Sequence, residues 1–251
     1  SERFSAMLLY VKRKNAAPVW LDFSNKYYPA GVVSDSHSGE TALIFTGDGV
    51  DSAVVHSSED RKTISRFKID VKTKKFDYNS VFYGDYVYLR QYFDDERFNE
   101  KNILTLMEAY RADTAFDKLI ITKDKFSFSA SGLMSFKAAD AGNDYIIFPF
   151  LHNSNAASYV RSVERSSPVV VSESVNDENV FEYTLPERFI SVEFDKVRKY
   201  TFGECSAEFT LNKKKGSPVL KATQKLYIPK GEISVEDYAK FAEFCANVKT
   251  E

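Results

Sequence analysis

Short runs in which apolar residues fall at every second position constrain this chain most. Phe67-Lys68-Ile69-Asp70-Val71, Phe126-Ser127-Phe128 and Leu220-Lys221-Ala222-Thr223-Gln224-Lys225-Leu226 all follow this pattern. A period of two puts alternate side chains on one face of extended backbone, so these runs read as half-buried antiparallel strands. Turn signals punctuate them at Asp48-Gly49, Tyr83-Gly84-Asp85, Ala141-Gly142-Asn143 and Lys213-Lys214-Lys215-Gly216. The last reads as a solvated hairpin tip. With 251 residues, 43% of them hydrophobic and 15% aromatic, the chain can fill the core of one large or two ordinary domains.

Two segments leave the two-residue period for helical spacing. Around residues 97–111, Ile103, Leu106, Met107 and Tyr110 fall on one face, which predicts an inserted helix. Near the end, Ser234 supplies an N-cap before Glu236 and Asp237. Val235, Tyr238, Phe241, Ala242, Cys245 and Val248 then recur at three- and four-residue steps. This predicts a C-terminal amphipathic helix packed on a sheet. The polar run Ser57-Ser58-Glu59-Asp60-Arg61-Lys62 reads as a boundary, dividing a terminal piece (1–58) from a mainly β, β-sandwich-like domain (59–251) of antiparallel strands.

Charge and residue usage exclude several classes. The formal net charge of −2 gives no field to draw in a nucleic acid. No apolar run approaches the roughly 18–20 residues of a membrane-spanning helix, and residues 1–11 lack the pattern of a secretory leader, so the chain reads as soluble. His37, His56 and His152 stand alone in polar contexts, without the paired spacing of metal ligands, so the expectation is no metal and no cofactor. Two cysteines, Cys205 and Cys245, are too few for a disulfide scaffold or a four-thiolate zinc site.

Three passages together resemble one family. Phe4-Ser5-Ala6-Met7-Leu8-Leu9-Tyr10-Val11 and Val19-Trp20-Leu21-Asp22-Phe23-Ser24, followed by Tyr28-Pro29-Ala30-Gly31, look like paired strands closing a papain-like domain. Arg165-Ser166-Ser167-Pro168-Val169 and Leu185-Pro186 look like elements of a domain downstream. Leu226-Tyr227-Ile228-Pro229-Lys230-Gly231 and Tyr238-Ala239-Lys240-Phe241 look like its closing strand and helix. The set resembles the C-terminal region of bacterial transglutaminase-like proteins, whose papain-like domain is flanked by β-rich domains. The resemblance implies an extracytoplasmic location, periplasmic or secreted, and makes Asp22 the triad aspartate. Papain-like chemistry also needs a thiolate and an imidazole base. Here Ala6 occupies the position of that histidine, and no cysteine precedes it.

The candidate residues each admit two readings. Asp22 is either a triad member completed from elsewhere, in an amidase, transamidase or peptidase fragment, or a strand-end residue opening a turn. Trp20 is either core or a ligand platform. Tyr86, Tyr88 and Tyr92, in Tyr83-Gly84-Asp85-Tyr86-Val87-Tyr88-Leu89-Arg90-Gln91-Tyr92-Phe93, are either strand packing or a surface for a protein or glycan partner, as in a carbohydrate-binding sandwich. Cys205 lies in Phe202-Gly203-Glu204-Cys205-Ser206-Ala207-Glu208-Phe209, which reads as a strand. Packing of the last helix on that strand would bring Cys245 within reach of Cys205, and the two are then either a disulfide or buried free thiols. The leading expectation is a non-catalytic structural or binding module.

Overall fold

The computed structural model describes residues 6–94, 100–101, 114–124, 126–136, 156, 159–160 and 165–250. Ile103, Leu106, Met107 and Tyr110 of the inserted helix, the Ala141-Gly142-Asn143 turn, His152 and the side chain of Tyr92 lie outside the described residues. The chain is mainly β, with antiparallel sheets and a short C-terminal helix.

The first strands form two hairpins, β1 (Leu9–Arg13) with β2 (Ala16–Leu21) and β3 (Thr41–Thr46) with β4 (Gly49–Val54). Tyr10 lies opposite Trp20 across the first. Trp20, Val33, Ile44 and Val55 form a small core between the hairpins. Then come β5 (Lys62–Asp70) and β6 (Lys75–Tyr83), a 3-10 turn at Gly84–Leu89, the single-turn helix α1 (Arg90–Asp94), β7 (Thr114–Lys123) and β8 (Ser127–Phe136). After them follow β9 (Val169–Val171), β10 (Val175–Thr184), β11 (Phe194–Phe202), β12 (Cys205–Lys213), β13 (Val219–Ile228), β14 (Gly231–Ile233) and the helix α2 (Tyr238–Thr250).

Eight strands make one sheet in the order β11-β12-β13-β10-β5-β6-β8-β7. All neighbours are antiparallel except β10 and β5, which run parallel at the centre. The alternating pattern predicts strands but not partners, and this parallel seam departs from the antiparallel expectation. It places Phe67 beside Phe181, their rings stacked at 5.2 Å. Alternation along β13 is regular: Leu220, Ala222, Gln224, Leu226 and Ile228 are buried, while Lys221, Lys225 and Tyr227 are exposed. One face therefore carries the core and the other is polar, as antiparallel sheets allow.

The inner face divides into two cores. One gathers Phe67, Phe76, Phe128, Met134, Phe181, Tyr183 and Leu220 around the seam. The other gathers Cys205, Ala207, Leu226 and Ile228 under Tyr238, Phe241, Phe244, Cys245 and Val248 of α2. The Ser234 hydroxyl accepts the Asp237 N–H at 3.2 Å, the N-cap bond the sequence predicts. Val235, expected on the apolar face, is 37% exposed. It sits in the turn before the helix, so the 3.6-residue period does not aim it at the sheet.

Two local features shape the sheet edges. The register of β7 on β8 shifts between Phe116 and Lys118, opposite Met134 and Leu133, and at the adjoining Gly132 an added Cβ would lie 1.4 Å from the Lys118 carbonyl oxygen. Only a glycine fits beside that bulge. In the expected hairpin tip at 213–216, Lys213 is 1% exposed rather than solvated. Its ammonium donates to the carbonyls of Val192 (3.2 Å), Lys214 (3.0 Å) and Ser217 (2.5 Å). Those oxygens replace its water shell, which is what permits a buried cation.

Candidate functional site

Asp22 follows β2 directly and is 6% exposed. Its Oδ1 accepts the Ser24 N–H at 2.9 Å and its Oδ2 the Ser34 N–H at 3.0 Å. Burial alone would raise its pKa, but the Ser24 side chain, the two main-chain bonds and the nearby His37 together outweigh burial and hold it below the usual carboxylate range. Both oxygens thus serve the main chain, closing the loop that carries residues 23–33 back to Ser34.

The turn beyond Ser34 meets a buried charge cluster. The Asp35 N–H donates to Asp85 Oδ2 at 2.8 Å, and Asp35 Oδ2 accepts the Ser174 N–H. Arg61 Nη1 lies 3.1 Å from the same Asp85 oxygen and 2.7 Å from Glu173 Oε2. The Arg61 guanidinium also lies over the Tyr86 ring. Lys230 completes the contacts, donating to the carbonyls of Ser36 (2.8 Å) and Ser38 (3.2 Å) and to Glu40 Oε1 (2.6 Å). The 34–40 segment is therefore bonded to the turn after β6, to the β9–β10 connection and to the β13–β14 turn.

Gly84 makes the cluster possible. Its φ is +59°, and an added Cβ would lie 2.7 Å from the Asp60 carbonyl and 2.8 Å from the Arg61 nitrogen. Only glycine accepts both that conformation and that contact. The 3-10 turn which follows buries Asp85, Tyr86 and Val87, so Tyr86 belongs to a helical turn and not to the strand expected there. Burial raises Asp85 above its ordinary value, partly offset by the Arg61 charge. Burial likewise pushes Tyr28, with Asp85 nearby, up to about 12. Arg61 Nε and Asp85 Oδ1 are buried with no hydrogen-bond partner among the described residues.

The other candidates separate. Trp20 is 5% and Tyr86 6% exposed, so neither presents a ring to solvent as a ligand platform must. Tyr88 packs against the seam core. Cys205 and Cys245 are both free and share one core. Burial pushes the Cys205 thiol up to about 11 and the Cys245 thiol, with Cys205 beside it, up to about 12. Neither is therefore a thiolate near neutral pH, as a nucleophile must be. Cys205 opens β12, on a strand as the sequence reading expects, and the turn from β11 takes only Gly203, at φ +53°, and Glu204.

Sequence reasoning assigns no role to the side chains of Asp35, Arg61, Asp85, Glu173 or Lys230, although Asp85 and Lys230 lie in runs it singles out. Arg61 sits in a polar run that reads as a linker, yet it is 9% exposed. The one local signal is Gly84-Asp85, which marks a turn without revealing what the aspartate meets.

Arg165 and Tyr238, from two of the passages carrying the resemblance, meet in space, with the guanidinium 5.6 Å from the ring centroid. Comparison with the curated proteins and with the solved structures gives no match. Residues 143–251 match the family model of a Domain of Unknown Function with solved-structure structure, DUF3858. The matched region supplies β9 to β14 and α2, hence four of the eight strands of the large sheet, and the parallel seam joins it to the strands that precede it.

Proposed function

We propose that this chain is a non-catalytic structural and binding module, the C-terminal part of a transglutaminase-like protein of the bacterial cell envelope, periplasmic or secreted. The observation that carries the reading is the use made of Asp22. A triad aspartate accepts the N–H of its imidazole partner, whereas the contacts that hold Asp22 are main-chain N–H groups, one on each oxygen, and the residue is 6% exposed. The charge cluster behind it supports the same reading, since its bonds run between elements and fasten the terminal hairpins to the large sheet. A module of this kind holds neighbouring domains or partners in a set orientation.

The test combines Asp22→Asn with an amidase and transamidase assay of the protein that contains this chain. The module reading expects the Asp22→Asn variant to have a lower melting temperature and an unchanged specific activity per folded molecule. Loss of turnover at unchanged melting temperature would establish the alternative, in which Asp22 completes a cysteine-type site.

A further inference from the structure

Two rows of side chains cross the inner face of the sheet between its two cores. Strand register aligns Lys196, Leu211, Ala222 and Phe181 in one row and Arg198, Phe209, Gln224 and Asn179 in the next. Ala222, a small residue between Leu211 and Phe181, leaves a hollow. The resulting cavity of about 260 Å³ is floored by Phe181, Ala222 and Gln224 and walled by Phe209 and Leu211, with Lys196 and Arg198 on the side of β11.

The floor is buried, with Phe181 at 1%, Ala222 at 3% and Gln224 at 8% exposure, whereas Lys196 and Arg198 are exposed. Gln224 Oε1 accepts from Asn179 Nδ2 at 3.4 Å, which holds the amide oxygen toward β10. A largely apolar hollow thus opens onto the two positive charges of Lys196 and Arg198. The cavity on the opposite face carries both signs of charge: it is lined by the Lys62–Glu178 and Lys199–Glu208 pairs, at 3.2 Å and 2.9 Å.

The geometry points to a binding site for a small organic carboxylate with an apolar body of acyl-chain or single-ring size. The body fills the hollow over Ala222 against Phe181, Phe209 and Leu211, and the carboxylate meets Lys196 and Arg198 at the rim. The volume falls just below the roughly 300 Å³ at which small-molecule sites begin, which selects a short ligand. Charge-assisted bonds to Arg and Lys supply the preference for an anion. The inference is independent of the proposed role of Asp22, because all of these residues lie on β10 to β13.

Octanoate, kept below its micelle concentration and titrated into the intact chain by calorimetry, tests it, with octyltrimethylammonium as the cationic counterpart. Octanoate should bind and the cation should not. The surface variant Lys196→Glu/Arg198→Glu should weaken octanoate by about tenfold or more, and Ala222→Leu, which fills the hollow, should abolish binding. Lys221→Glu/Lys225→Glu on the opposite face should leave it unchanged. No octanoate binding, equal binding of both head groups, or unaltered affinity in Lys196→Glu/Arg198→Glu with its fold intact by circular dichroism would each overturn the proposal.

Discussion

The guanidinium carbon of Arg61 lies 3.9 Å from the centroid of the Tyr86 ring, with the carboxylates of Asp85 and Glu173 at its edge. Replacing Arg61 by Met leaves Asp85 buried without its cation. Breaking a buried pair from one side costs about 3–5 kcal/mol, and Arg61→Met should lose stability on that scale at neutral pH. The sign of its pH dependence follows from Asp85. Without Arg61 the folded-state pKa rises further above the unfolded value, so the folded state binds the extra proton between those two values. Stability of the variant should therefore increase as pH falls through that window, relative to the wild-type protein, in urea titrations at a series of pH values.

Asp22 has the opposite linkage. Its folded-state pKa is depressed, so the stability it contributes is present above the unfolded carboxylate range and is lost as pH falls through the folded value. Asp22→Asn keeps one acceptor and turns the other into an amide that cannot accept an N–H. A loss of about 1–3 kcal/mol is expected for the orphaned donor. The difference between wild type and variant should vanish in strong acid, measured by chemical denaturation.

Gly132→Ala tests the bulge on β7. The methyl would overlap the Lys118 carbonyl, so the backbone of β7 must move. A cost of about 3 kcal/mol, the upper end of overpacking, should appear as early loss of hydrogen-exchange protection along β7 and β8 only.

The two thiols give a clean count. Both are free and buried, so a thiol reagent should find neither in the native protein and both after full denaturation without reductant. A denatured chain that still shows none would contain the Cys205–Cys245 bond.

A fragment limited to residues 143–251 cuts the sheet at its parallel seam. It exposes the whole edge of β10 and takes Phe67 and Ile69 away from Phe181 and Tyr183. Such an edge invites intermolecular pairing. The fragment should elute from size exclusion as oligomers, whereas a fragment spanning 59–251 should elute as a monomer.

Local pattern carries much of this fold and little of the site. Alternation at Leu220–Leu226 marks an inward face down to Gln224, and the Ser234 cap with Tyr238, Phe241 and Cys245 marks the last helix, because both depend on neighbours within a few residues. The parallel pairing of β5 with β10 joins segments far apart in the chain, and no turn chemistry encodes it. Arg61 and Lys213 look like solvated cations for the same reason: the carboxylates or carbonyls that replace their water come from other elements. Asp22 is legible as a residue that begins a turn, yet its second partner, Ser34, is visible only once the loop has closed.

The parallel seam also bears on how the chain is made. Lys62 at the start of β5 pairs with Glu178 on β10 across 116 residues of sequence. Synthesis from the N-terminus completes β5 and β6 long before β10 exists, so the nascent chain presents the bare flank of β5 throughout that interval. Long-range pairing of this kind folds slowly and leaves edges open to misassociation. Arg66 and Lys68 are exposed on β5 and give that waiting strand the charge that discourages premature partners.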